Sequence, residues 1–153
     1  MRGEKIYLDN CTYNRPFDDK EHLSIRMEAE AKLQIQSNIR NGIYALVWSY
    51  MNDYENNENP YDDKREAIGI WEHIAAYKCI PNEKILEKGK QIQQAAVKPK
   101  DALNLACAIE SGCRYFITTD KGILRKSGFV AEIEIINPID FIRKEEENDA
   151  SSN

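Results

Sequence analysis

Lys5-Ile6-Tyr7-Leu8-Asp9-Asn10 and, farther along, Arg114-Tyr115-Phe116-Ile117-Thr118-Thr119-Asp120 share one pattern: a short β-prone run that ends at an acid. Each run reads as a buried strand, and each acid then stands at a strand's C-terminal end. Between and around them the chain alternates. Leu23, Met27, Leu33, Ile35 and Ile39 fall at helical spacing in an amphipathic helix over 21–39, which Asn41-Gly42 stops. Tyr44 to Trp48 reads as a fully apolar strand, with Ser49 as N-cap of a short helix reaching Glu55. Helices are predicted over 62–76, 82–94 and, opened by Pro99 and closed by Gly112, 101–111. Further strands are predicted at 77–80 and 133–136, with short helices at 121–127 and 138–143. This order defines an α/β protein, a three-layer α/β/α sandwich with a mainly parallel central sheet, whose functional groups belong at the strands' C-terminal ends.

The chain has 153 residues, enough for one core and one domain, expected over 1–144, with a polar, frayed tail over 145–153. Its charged opening has no signal-peptide shape, and no segment reaches membrane-span length. Cys11, Cys79, Cys107 and Cys113 lack Cys-x-x-Cys spacing and read as small buried thiols, so the expected location is cytoplasmic, without a membrane. With only His22 and His73 and no evident Ser or Cys nucleophile, carboxylates must carry any chemistry. Net charge is -5, yet residues 78–126 hold ten Lys/Arg against five Asp/Glu, which allows an electropositive strip facing a phosphate backbone.

Taken singly, each candidate acid has an ordinary reading. Asp9 suits a turn cap, Asp120 an N-cap, Asp101 a first helical turn, and Glu55 a helix surface. Together they place three or four negative groups at one edge of the sandwich. Two carboxylates about 4 Å apart repel by roughly 4 kcal/mol at an effective dielectric near 20, a conflict that a divalent cation removes. Oxygen ligands without histidine or thiolate select Mg²⁺ or Mn²⁺ over zinc, and such a site does phosphoryl chemistry.

Leu8-Asp9-Asn10, Ser49 six residues before Glu55, Asp101-Ala102-Leu103-Asn104-Leu105-Ala106 and Thr118-Thr119-Asp120, in this order, resemble the PIN domain over residues 5–143. Within it, the chain is similar to the VapC-like toxins of toxin–antitoxin pairs. That resemblance implies a Mg²⁺- or Mn²⁺-dependent endoribonuclease, a homodimer held in check by a cognate antitoxin. It implies that Asp9, Glu55, Asp101 and Asp120 are the catalytic, metal-binding acids, supported by Asn10 and by Thr118, which holds a ligand or a water. Two departures stand out: Gly122 where many members carry a fifth acid, and Asn104 where histidine is common.

Arg15 and Lys121 are candidate contacts to RNA phosphate, and Tyr13 and Phe17 candidates to stack on a base, although aromatic residues here also suit packing. Trp48 and Trp71 are assigned to the core. The main rival is a catalytically weak PIN-like module that binds RNA or protein. A phosphoacceptor signalling domain needs paired acids after the first strand and a late lysine, which this chain lacks. A structure-specific DNA nuclease needs added helices for which there is little room.

Overall fold

A computed structural model of the chain describes residues 3–13 and 23–151, apart from the side chains of Ala150 and Ser151. Five strands form one sheet: β1 (Glu4–Leu8), β2 (Tyr44–Ser49), β3 (Tyr77–Cys79), β4 (Tyr115–Ile117) and β5 (Glu134–Ile136). Their order is β3-β2-β1-β4-β5 and every pairing is parallel, with Ile6 opposite both Leu46 and Tyr115. The sheet expected to be mainly parallel is therefore parallel throughout.

Alternation along the strands divides the core into two layers. Ile6, Leu8, Leu46, Trp48, Tyr115 and Ile117 face α1 (Leu23–Arg40), α3 (Asp62–Ile74) and α7 (Pro138–Ser151). Tyr7, Val47, Phe116 and Ile135 face α2 (Tyr50–Asn57), α4 (Glu83–Gln93), α5 (Pro99–Glu110) and α6 (Lys121–Leu124). Trp48 and Trp71 are buried in the first layer, as the sequence indicated. The second layer is built for close approach: α5 turns Ala102, Ala106, Cys107 and Ala108 inward, and α4 meets α5 at Gly89, where an added Cβ would lie 3.2 Å from Leu103 Cδ2.

Three local expectations change. The helix expected over 138–143 and the frayed tail after it are one helix, α7, continuing to Ser151. Asn137 starts it by accepting from the Asp140 amide at 2.8 Å, and Lys144 ties its middle to Glu134 on β5 at 2.7 Å. Tyr13 is a core residue, 4% exposed and packed on Trp48 and Trp71, so it offers no face to a base. The basic central segment is neutralised in part: of its ten Lys/Arg, Lys78, Lys88, Lys100 and Arg114 pair with Glu72, Glu132, Glu58 and Glu4. Arg15, Phe17 and the start of the helix predicted from residue 21 lie outside the described residues.

The chain leaves β1 toward β2 and β3, then returns through α4 and α5 to place β4 on the other side of β1. The strand order thus reverses between β1 and β4, and the crevice beyond their C-terminal ends is where open parallel sheets bind ligands.

Candidate active site

Asp9 follows β1 directly, and its amide continues the β1–β4 ladder by donating to the Ile117 carbonyl at 3.0 Å. Its carboxylate is therefore fixed to the crevice, nearly buried at 9% exposure. Oδ1 accepts from the Asn10 amide at 2.9 Å and Oδ2 from Thr118 Oγ1 at 2.7 Å. Thr118 Oγ1 also accepts from the Asp120 amide at 3.0 Å, so one buried hydroxyl joins the loop after β4 to the acid after β1. Asp120 itself is exposed and caps α6, Oδ1 accepting from the Gly122 and Ile123 amides at 2.8 and 3.2 Å. Gly122 is close-fitting here, because a Cβ would stand 3.1 Å from that same oxygen.

Glu55 reaches the site from α2. Ser49 caps that helix, accepting from the Met51 and Asn52 amides at 3.2 Å each, and Asn52 answers by accepting from the Ser49 amide at 2.8 Å. Asn52 also anchors the loop after β1, donating to Asn10 Oδ1 at 2.6 Å while Asn10 Nδ2 donates to the Asn52 carbonyl at 3.1 Å. Glu55 Oε1 accepts from Asn104 Nδ2 at 2.7 Å. Asp101 comes from the first turn of α5, half-buried, with Lys98 and Lys100 just before it in sequence.

These acids sense one another. Burial raises the Asp9 carboxyl above its ordinary value, opposed by its hydrogen bonds and reinforced by Asp120. Burial pushes Glu55 up to about 7, with Asp9 and Asp101 adding to the rise while Asn104 and Lys100 oppose it. Asp101 is raised by burial and then by Asp9 and Asp120, against Lys98. Cys11, 3.6 Å from Asp9 Oδ2, is held at about 11 by burial and by Asp9, so it contributes a thiol rather than a thiolate.

The four acids meet at one crevice without closing on a point. Among the described residues, no three His, Cys, Asp or Glu side chains are grouped so as to ligate one ion. Each of three acids has a protein partner: Asp9 accepts from Thr118, Glu55 from Asn104, and Asp120 from the amides of its own helix. Lys121, beside Asp120, is exposed. Three polar residues of the site escaped the sequence reading of function. Tyr7 was hidden inside an apolar strand, Cys11 among buried thiols, and Asn52 behind a Ser49-x-x-Asn52 capping pattern that a search for caps would have found.

No family model matches the sequence, and no curated protein matches it. Solved structures do match. A chain of VapBC2 from Rickettsia felis, crystallised bound to a DNA fragment from the promoter, superposes with a TM-score of 0.56 at 11% identity, covering 87% of this chain and 98% of that one. A chain of DNA-bound VapBC from Salmonella typhimurium gives 0.55 at 16% identity, covering 88% and 98%. The architecture that these similarities and the parallel sheet define is a PIN-like α/β/α fold. Both neighbours are chains of VapBC structures, and what they share with this chain is the fold. Among the described residues, no helix is long and apolar enough to cross a membrane.

Proposed function

We propose that this chain is a Mg²⁺- or Mn²⁺-dependent endoribonuclease, hydrolysing RNA phosphodiester bonds as the toxin of a toxin–antitoxin pair. The observation that carries the proposal is the crevice at the β1–β4 switch point, where acids from four separate elements gather and the carboxyls of Asp9, Glu55 and Asp101 are raised chiefly by burial and further by their acidic neighbours. Perturbed acids gathered at a ligand-binding crevice point to a functional site. Asp9, Glu55, Asp101 and Asp120 would hold the ion, and their oxygens suit a hard divalent cation. When bound there, such an ion acidifies a water and offsets charge on the scissile phosphate.

The chain's own groups supply the rest. Thr118 and Asn10 fix the Asp9 carboxylate, and at the start of α5 Lys98 and Lys100, the latter shared with Glu58 at 3.6 Å, place positive charge beside the acids, where a phosphate backbone would run. Exposed Leu23, Ile25, Met27 and Leu33 on α1 offer an apolar surface to a second protein chain, a cognate antitoxin or another copy in a homodimer. The cytoplasm, where RNA and reduced thiols are found, is the proposed location.

The test is a mixed pool of end-labelled RNAs with Mn²⁺, comparing wild type, Asp101→Asn and wild type with chelator. Wild type alone should cut, the other lanes falling by on the order of a hundredfold or more. Gly122 in place of a fifth acid and the cap role of Asp120 favour the alternative, a catalytically weak module that binds RNA or protein. Three indistinguishable lanes, with RNA retained by the protein, would select that alternative.

A further inference from the structure

Asn104 Nδ2 donates to Glu55 Oε1 at 2.7 Å and to the Lys100 carbonyl at 3.1 Å, so both amide hydrogens are committed and Oδ1 must accept. Its donor is the Tyr7 hydroxyl, 2.5 Å away and fully buried. The phenol has one hydrogen, so in its 2.6 Å contact with Ser49 Oγ the serine donates. Ser49 in turn caps α2, the helix that carries Glu55. The bonds therefore close a ring through three elements: Ser49 to Tyr7, Tyr7 to Asn104, Asn104 to Glu55, and back along α2. Tyr7 is a β1 residue two positions before Asp9, so the ring sets the distance between α2 and the strand that carries Asp9. Asn104 is the donor that holds one Glu55 oxygen and leaves the other for a ligand.

We propose that Tyr7 and Asn104 are positioning residues that hold Glu55 in the orientation required by a divalent cation, Asn104 by direct contact and Tyr7 by fixing the Asn104 amide. This rests on the metal-dependent reading above.

The experiment is calorimetric titration of Mn²⁺ into the RNA-free protein, for wild type, Glu55→Gln, Asn104→Ala, Tyr7→Phe and the double variants with Glu55→Gln. Asn104→Ala should weaken Mn²⁺ binding roughly tenfold, and Tyr7→Phe about threefold. Neither should weaken it further once Glu55 is Gln, because a positioning effect needs the group that it positions. Tyr7→Phe keeps the ring that stacks on Phe116 at 5.2 Å, and Asn104→Ala leaves the Tyr7–Ser49 bond in place, so each variant guards against misfolding of the other. Cleavage supplies a second readout: half-maximal Mn²⁺ should rise more than the rate at saturating Mn²⁺ falls. Wild-type affinity in both variants, or losses that simply add to that of Glu55→Gln, would overturn the positioning role while leaving the metal site standing. Absence of Mn²⁺ binding by the wild type would overturn the metal-dependent reading, and this inference with it.

Discussion

The two core layers on either side of the sheet are built from different materials. On the side of α1, α3 and α7, large rings interlock: Phe141 meets Tyr44 and Tyr115 edge-on at 5.3 and 5.1 Å, and Tyr13 packs on Trp48 and Trp71. On the side of α5, small residues press a helix against the strands, and the polar ring of Tyr7, Ser49 and Asn104 runs through that packing. Large rings maximise apolar area, whereas small residues minimise the distance between backbones. The comparison assigns stability chiefly to the aromatic layer and site geometry chiefly to the small-residue layer, since Asp101 and Asn104 approach the crevice only as closely as α5 approaches the sheet.

Phe141→Ala would test the first half with the largest effect. Removing a fully buried ring from the aromatic layer should cost about 3–5 kcal/mol in urea-melt stability. Mn²⁺ affinity of the folded fraction should not move, and a tenfold loss would mean that the layers are not separable. Ala106→Leu tests the second half. Ala106 is fully buried on α5, and the added bulk should cost about 1–3 kcal/mol. Because it pushes α5 outward, it should also weaken Mn²⁺ binding by more than Phe141→Ala does. Equal effects of the two substitutions on metal affinity would break the comparison.

The same contrast governs what the sequence disclosed. Strands that end at acids are visible because burial forces a continuous apolar run and polar residues then break it, at Asp9 and from Thr118 to Asp120; the helices between them follow from spacing. Thr118 is placed against Asp9 because the parallel register pairs Leu8 with Ile117, the residues just before them. Contacts between residues distant in sequence left no such trace. Tyr7 looks like any strand aromatic until Asn104 arrives from α5, and Tyr13 looks like a possible base-stacker until Trp48 and Trp71 enclose it. The basic segment reads as more positive than it is because the acids that pair with four of its cations, Glu72, Glu132, Glu58 and Glu4, lie outside it in sequence. The polar end of α7 read as frayed because the anchors at Glu134 and beside Tyr44 come from β5 and β2.

The smallest effect is a pH dependence that separates the crevice from the rest of the molecule. Asp9, Glu55 and Asp101 all have carboxyls raised in the folded state, Glu55 to about 7. Between the unfolded values of about 4 and these raised values, the native state binds more protons than the unfolded chain, so stability falls as pH rises. In chelator, the wild-type Tm should therefore decline from pH 5 to pH 7.5, and the decline should be shallower in Glu55→Gln, which has one fewer such proton to lose. Mn²⁺ competes with those protons for the same oxygens, so its stabilising increment should be larger at pH 7.5 than at pH 5. Thermal melts of both proteins at the two pH values, with and without Mn²⁺, read all of this together. A decline equally steep in Glu55→Gln would place its cause outside the crevice. An Mn²⁺ increment independent of pH would mean that the ion binds oxygens that are not among the raised carboxyls, and the crevice would then lose its claim to the cation.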